Sequence, residues 1–352
     1  MTPPDPSPSE EALRLVKHLE RSGKTLGPLL ILTHDHPDPD ALASAWALSL
    51  LAQKLCRIRA RIVYSGVVVR RENLFMMQSL WIPASPFRPS DLDCPHIALV
   101  DTQPPFRNNR FPAAKRPDII IDHHPRHRDT RAEFSIINEK AGATVTILAE
   151  ALLAAGLKAP RKLATAIVYG IGAETQNLGR EATERDSAAY MSFLHRADLN
   201  ALWRIANPPR PGAFFRTMAQ AIHNAYVVRD LIGVHLREIS NPELVAQMAD
   251  FLLAHETMRW SLVTGRYQGR LHVSLRTNAP GDDHAGRVLR TVLGGGTKAG
   301  GHQMMAGGSL DFGRRAEEGL WREAEDHVLS AFLKHRDMPD DTHREYPFRH
   351  TT

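Results

Sequence analysis

Three short apolar runs in the first half of the chain each end in aspartate and histidine, and that arrangement leaves few folds open. Leu29–Leu32 (LLIL) runs into THDHPDPD, His96–Val100 (HIALV) runs directly into Asp101, and Asp118–Ile121 (DIII) runs into Asp122-His123-His124. Short apolar runs without polar alternation read as strands buried on both faces, the condition of a parallel sheet. After the first run, Leu42, Ala45, Trp46 and Leu50 recur at helical spacing, which makes a strand–loop–helix unit. Glu10 to Arg21, Ala143 to Ala155 and Arg161 to Ile171 also read as helices, the last delivering GIGAET at its end. The expected architecture is therefore α/β, a parallel sheet with helices on both faces. Open sheets of this kind carry their sites at the carboxyl edge, where all three polar clusters fall.

A second α/β unit follows. Asn207-Pro208-Pro209-Arg210-Pro211-Gly212 cannot continue a helix and is the clearest linker. Beyond it, Asp230 to Arg237, Trp260 to Tyr267 and Leu271 to Arg276 read as strands, and Asn241 to His255 and Ala285 to Leu293 as helices. Gly294 to Gly308 reads as a glycine-rich loop before a last strand and helix. The expected division is a disordered leader over 1–8, a first domain over 9–206, and a linker and helix over 207–225. A smaller α/β domain over 226–336 and a flexible tail over 337–352 complete it.

Composition narrows the function. With 352 residues, 43 % of them hydrophobic, the chain can bury two cores, and no stretch approaches the roughly 20 apolar residues of a membrane span. The start, MTPPDPSPSEEA, is acidic and Pro-rich, unlike a secretory signal, so the expected location is the cytoplasm. Two cysteines, Cys56 and Cys94, are too few for a disulfide framework or a Cys-based zinc site. A net charge of +5 leans toward anionic partners.

Singly, the acidic residues are ordinary. Asp40 opens a helix and is expected as its N-cap, Asp101 could end any strand, and a His pair before a proline suits a surface turn, as does His127. Together at one sheet edge, the His and Asp side chains make an oxygen-rich set tempered by imidazole. That set suits a pair of Mn²⁺ or Mg²⁺ ions, with histidine favouring Mn²⁺.

The ordered motifs HDHPDPDALAS, LVDT, DHH and GIGAET, followed by VSLRTN and GGGTKAGGHQMMAGG, resemble the DHH phosphoesterase family with its C-terminal DHHA1 domain, closest to the nanoRNase/pAp-phosphatase branch. The resemblance spans about residues 30 to 310 and implies two divalent cations, Mn²⁺ preferred. It places His34, Asp38, Asp40, Asp101, His123 and Glu174 on metal positions, with Asp101 bridging, and His124 on the scissile phosphate. It places Arg276, Gly300, Gly301 and His302 on substrate-binding positions of the second domain. The implied reaction is hydrolysis of short RNA or DNA, pAp, or linear or cyclic dinucleotides by a metal-activated hydroxide, with Asp101, His124 and Arg276 as the catalytic group. Closure across the Pro-rich linker would complete the site, and a homodimer is the assembly the resemblance suggests.

Three departures stand out. The fourth motif has Glu174 where the family has Asp, moving the carboxylate by about 1.5 Å. His36 and Pro39 replace the frequent Asn and Gly, and Thr297-Lys298-Ala299 is inserted before Gly300. The altered fourth motif leaves a second reading open, a nucleotide-binding sensor with little turnover.

Overall fold

A computed structural model gives the fold and describes residues 8–68, 70–179, 182–278, 284–295, 298–301, 303–338 and 343–349. The chain divides into two compact units at Pro208/Pro209.

The first unit holds a six-stranded sheet of β1 (Leu29–Leu32), β2 (Ala60–Tyr64), β3 (Ala84–Pro86), β4 (His96–Val100), β5 (Ile119–Asp122) and β6 (Phe134–Ile137). Its order is β3-β2-β1-β4-β5-β6 and every pair is parallel. Seven α-helices accompany it among the described residues: α1 (Glu10–Ser22), α2 (Pro39–Leu51), α3 (Arg71–Leu80), α4 (Thr144–Ala154), α5 (Arg161–Glu174), α6 (Glu184–Leu194) and α7 (Leu199–Ala206).

Residues alternate between the two faces of each strand. Leu29 and Ile31 enter the main core with the apolar residues of α1, α2, α4 and α5, while Leu30 and Leu32 enter a second, smaller core. The two faces are covered unequally among the described residues. The smaller core is closed by Phe87, Leu92, Cys94 and Phe111, from segments whose described helical pieces are the 3₁₀ turns Pro89–Asp93 and Pro104–Phe106. Strands β2, β3 and β6 (ARIVY, ASP, FSII) are too short or too polar to stand out as sequence.

Strand order reverses between β1 and β4, the place where open sheets of this winding form a crevice. Thr33-His34, Asp101 and Asp122-His123-His124 leave neighbouring strands β1, β4 and β5 at their carboxyl ends, so topology alone brings these groups to one edge.

The second unit contains α8 (Gly212–Asn224), β7 (Tyr226–Val228), β8 (Leu231–Glu238), α9 (Glu243–Leu252), β9 (Trp260–Tyr267), β10 (Arg270–Thr277), α10 (Ala285–Val292), β11 (Ala299–Gly301), β12 (Met305–Asp311) and α11 (Glu318–His335). Its sheet runs β11-β12-β10-β9-β8-β7, and only β8 and β9 pair in parallel. Helices α10 and α11 cover one core, and α8 and α9 close another against β8 and β9.

Two expectations change here. The glycine-rich segment is not one loop, because Ala299–Gly301 pairs antiparallel with Ala306–Gly308. Gly301 is required there, since it has φ +146° and a Cβ would lie 2.3 Å from the Met305 carbonyl oxygen. The described stretch 343–349 of the tail is held rather than free: Glu345 bridges to Val227, and Arg344 pairs with Asp326 at 2.9 Å. Residues 1–7 of the expected leader lie outside the described residues.

Candidate metal centre

Asp101 is the hub of the first unit's edge. It is 2 % exposed and adopts φ 58°, a left-handed conformation that aspartate tolerates better than most residues. Its Oδ2 lies 3.4 Å from His34 Nε2, and its Oδ1 lies 3.7 Å from both His123 Nε2 and His124 Nδ1. Thr144 Oγ1 donates to Oδ1 at 2.8 Å and fixes the carboxylate.

Each histidine is oriented by a partner on one nitrogen. His34 Nδ1 donates to the Asp35 carbonyl at 2.8 Å and His123 Nδ1 to the Ala141 carbonyl at 3.2 Å. A carbonyl only accepts, so whenever either ring is neutral its Nε2 carries a bare lone pair turned toward Asp101, the tautomer a metal needs. His123 Nε2 is fully buried and has no hydrogen-bond partner. His124 Nδ1 donates to Asp122 Oδ1 at 2.9 Å, and its side chain is 44 % exposed, so its Nε2 is left for a ligand.

Asp38 rather than Asp40 caps α2: its Oδ1 accepts from Ala41 N–H at 2.9 Å, while Oδ2 stands 3.6 Å from His34 Nε2. The expected N-cap, Asp40, is the second residue of α2 and caps a different helix. It is 1 % exposed and accepts from the Thr144 and Val145 N–H groups at 2.7 and 2.6 Å, anchoring the start of α4 under the site. Its Oδ2 is 3.9 Å from His123 Nε2.

Two groups emerge whose ligand atoms all lie within 4.8 Å of one another, His34-Asp38-Asp101 and Asp101-His123-His124. They share Asp101. The donor set fits a pair of divalent cations, because imidazole and carboxylate ligate such ions and the orphaned His123 Nε2 is a buried acceptor awaiting one. Asp40 and Glu174 stand outside both groups among the described residues.

Without cations the cluster is electrostatically tense. Burial disfavours charge on Asp101, yet the His34 hydrogen bond and the charges of His124, His123 and His34 hold its carboxyl well below the usual range. Burial opposes protonation of His124, but Asp122, Asp101 and Glu174 push it up to about 9. Burial, then the charges of Asp38 and Asp101, push Glu174 up to about 8 against the pull of His124 and His34. A cluster that retains protons against its own repulsion is one that positive charge would relieve.

Sequence spacing did not point to Gln103 or Thr144, and it gave Asp122, named within the DHH cluster, no role of its own. Gln103 is fully buried; its Nε2 donates to Asp122 Oδ2 at 2.7 Å, and its Oε1 accepts from His127 N–H and Thr130 Oγ1. It thereby fixes Asp122, which fixes His124. The available signal was the conjunction of LVDTQPP with DHH on adjacent strands.

The second unit holds the remaining residues. Arg276 is 6 % exposed, pairs through Nε with Asp250 at 2.5 Å and donates from Nη1 to the Leu275 and Ala306 carbonyls. With Gly301, Ser274 and His272 it lines a cavity of about 350 Å³, into which the buried Ser274 Oγ brings no hydrogen-bond partner of its own. Gly300 sits beside Gly301 in β11 outside that lining, and His302 lies outside the described residues. The described residues contain no helix long and apolar enough to cross a membrane.

Comparison with known proteins places these features. The model of the DHH family, N-terminal domain, matches residues 28–171, and that of the DHHA1 domain matches residues 223–327. A Methanocaldococcus jannaschii protein, itself described as uncharacterised, is 35 % identical over 293 residues, which are 81 % of this chain and 58 % of that protein. The A-adding tRNA nucleotidyltransferase of Geobacter sulfurreducens is 31 % identical over 173 residues, 47 % of this chain and 19 % of the enzyme. The chain thus spans well under two thirds of either relative. An exopolyphosphatase-related protein from Bacteroides fragilis shares the fold at TM-score 0.74 and 15 % identity, over 94 % of this chain and 98 % of that one. RecJ of Thermus thermophilus in complex with Mn²⁺ does so at TM-score 0.53 and 15 % identity, over 96 % of this chain and 57 % of RecJ.

Proposed function

Because the chain belongs to the DHH family, with a DHHA1 domain behind its DHH domain, we propose that it is a divalent-metal-dependent phosphoesterase acting on short oligonucleotides or small nucleotides. The observation that carries this reading is the pair of ligand groups sharing the buried Asp101. His34, Asp38 and Asp101 would hold one cation, and Asp101, His123 and the adjacent Asp40 the other, with Mn²⁺ favoured by the imidazole share. Two such cations supply positive charge for the phosphoryl oxygens and a water acidified toward neutral pH.

The chain's own residues do the rest. Thr144 and the three histidines keep Asp101 ionised and aimed. Gln103 and Asp122 hold the His124 ring so that Nε2 can donate to a phosphate oxygen as charge develops. In the second unit Arg276, Gly301 and Ser274 offer a cavity for the remote phosphate or base of the substrate. RecJ is a nuclease by its name, and an oligonucleotide substrate follows that likeness. A cytoplasmic location and a homodimer complete the proposal.

The test incubates the protein and Asp101→Ala with Mn²⁺ and pAp, an RNA dinucleotide and pentanucleotide, cyclic di-AMP, and bis-p-nitrophenyl phosphate. Wild type is expected to turn over at least one. Asp101→Ala should lose more than the roughly 10- to 100-fold that follows removal of a supporting residue around a metal. Equal rates would end the two-cation reading.

One observation favours a second reading. Glu174 stands outside both ligand groups, as it would in a nucleotide sensor with a weakened site. Tight binding of two Mn²⁺ per chain supports the enzyme, and nucleotide binding without metal or turnover supports the sensor.

A further inference from the structure

We propose that the second unit carries a nucleotide-binding site of its own, separate from the cavity of Arg276, that takes a nucleoside monophosphate group. The site is a cavity of about 930 Å³ between the ends of β10 and β12, the end of α10, and α11, and it shares no lining residue with the Arg276 cavity.

Charge decides what it can hold. Arg270, Lys298, His327 and Lys334 line it, and Asp311 is the one carboxylate among the lining residues. Asp311 is partly engaged by Arg270 at 3.8 Å, while Lys298, His327 and Lys334 form no ion pair among the described residues. A third cavity of the same unit is more nearly balanced: Glu238, Glu318, Glu325 and Asp326 line it with five arginines, of which Arg266, Arg322 and Arg344 are paired with Glu325, Glu318 and Asp326. The first cavity, with Arg270, Lys298 and Lys334 against the single carboxylate of Asp311, therefore presents the larger excess of positive charge to an anion.

Part of its lining is apolar. Val292, Leu293, Leu310, Phe312 and the small Ala331 line it together with the cations, and a flat base can rest on such apolar surface while its phosphate meets the charge. On α11, His327, Ala331 and Lys334 follow helical spacing, so one stripe supplies both cationic and small apolar lining. Lys298 comes from Thr297-Lys298-Ala299, the insertion by which this chain departs from the family pattern before Gly300. The insertion delivers its lysine to this cavity and not to that of Arg276. The inference stands whether or not the metal centre turns over.

The experiment uses the full chain stripped of metal by chelation, so that nothing is hydrolysed. AMP is titrated by calorimetry into wild type and Lys298→Glu/Lys334→Glu, with adenosine and inorganic phosphate as partial ligands. Wild type should bind AMP more tightly than either partial ligand. The double variant should bind it about tenfold or more weakly, the loss of one charge-assisted hydrogen bond. Both substitutions are on exposed side chains, so the melting temperature should hold. With Mn²⁺ restored, the variant should hydrolyse bis-p-nitrophenyl phosphate as wild type does, which separates this site from the metal centre. A 5′-phosphorylated trinucleotide binding more tightly than AMP marks an oligonucleotide tail as the occupant, and equal affinity marks a free nucleotide. Absence of AMP binding in wild type, or an unchanged affinity in the double variant, overturns the inference.

Discussion

Asp101 and Glu174 show how much one position can carry. Left-handed backbone at a non-glycine residue costs about 1–3 kcal/mol and persists only where the surroundings impose it, and Asp101 is so held at the centre of the candidate site. Glu174 is the departure from the family pattern, and its chemistry predicts a pH effect. In the metal-free protein it keeps its proton up to about pH 8, whereas an unfolded glutamate releases it near 4.5. Between those values the folded state binds the extra proton, so stability falls as pH rises. His124, raised from 6.5 to about 9, acts with the same sign over its own window. The melting temperature of chelated protein should therefore drop from about pH 5 to pH 9, with a shallower drop in Glu174→Gln, which cannot ionise. Added Mn²⁺ should reverse the trend, because its ligands must be deprotonated. A wild-type slope unchanged in Glu174→Gln would show that Glu174 does not hold this proton.

At the scale of elements, the strands that carry the site were legible because each is a pure apolar run ending in a charge. Leu29–Leu32 and His96–Val100 have the bounds that their sequences suggest. The glycine segment was not legible, since glycine permits a loop and a tight strand pair alike. Only the partner strand distinguishes them, and it predicts opposite outcomes for adjacent residues. Gly301→Ala must place a methyl against the Met305 carbonyl at a backbone angle that alanine avoids, whereas Gly300 faces open space. Gly301→Ala should lower stability by about 1–3 kcal/mol, a fall of several degrees in melting temperature, and Gly300→Ala by much less. Equal effects of the two, in thermal melts, would contradict the observed pairing.

The whole molecule consists of two units with separate cores, one around the parallel sheet and one around the mixed sheet. The proposed cations belong to the first unit. A ligand stabilises only the state that binds it, by about 2.7 kcal/mol at a hundredfold excess over Kd. Calorimetry should then resolve two transitions, of which Mn²⁺ raises one, and Asp101→Ala should abolish that rise without moving the other. A single transition, raised as a whole by Mn²⁺, would show that the units unfold as one.

The sequence by itself determined the α/β class, the two-domain order and which residues gather at the sheet edge. Apolar runs, strand direction and strand ends are local properties, and a parallel sheet places every carboxyl end on the same side. Tertiary structure alone decided how those residues divide their work. Asp38 and Asp40 stand two residues apart at the start of the same helix, and nothing in their spacing says that one caps α2 while the other caps α4. Gln103 and Thr144 are far from the histidines and aspartates in sequence and reach them only through packing. Likewise the inserted Lys298 acquires meaning only when α11 brings His327 and Lys334 beside it, because charge acts through space and not along the chain.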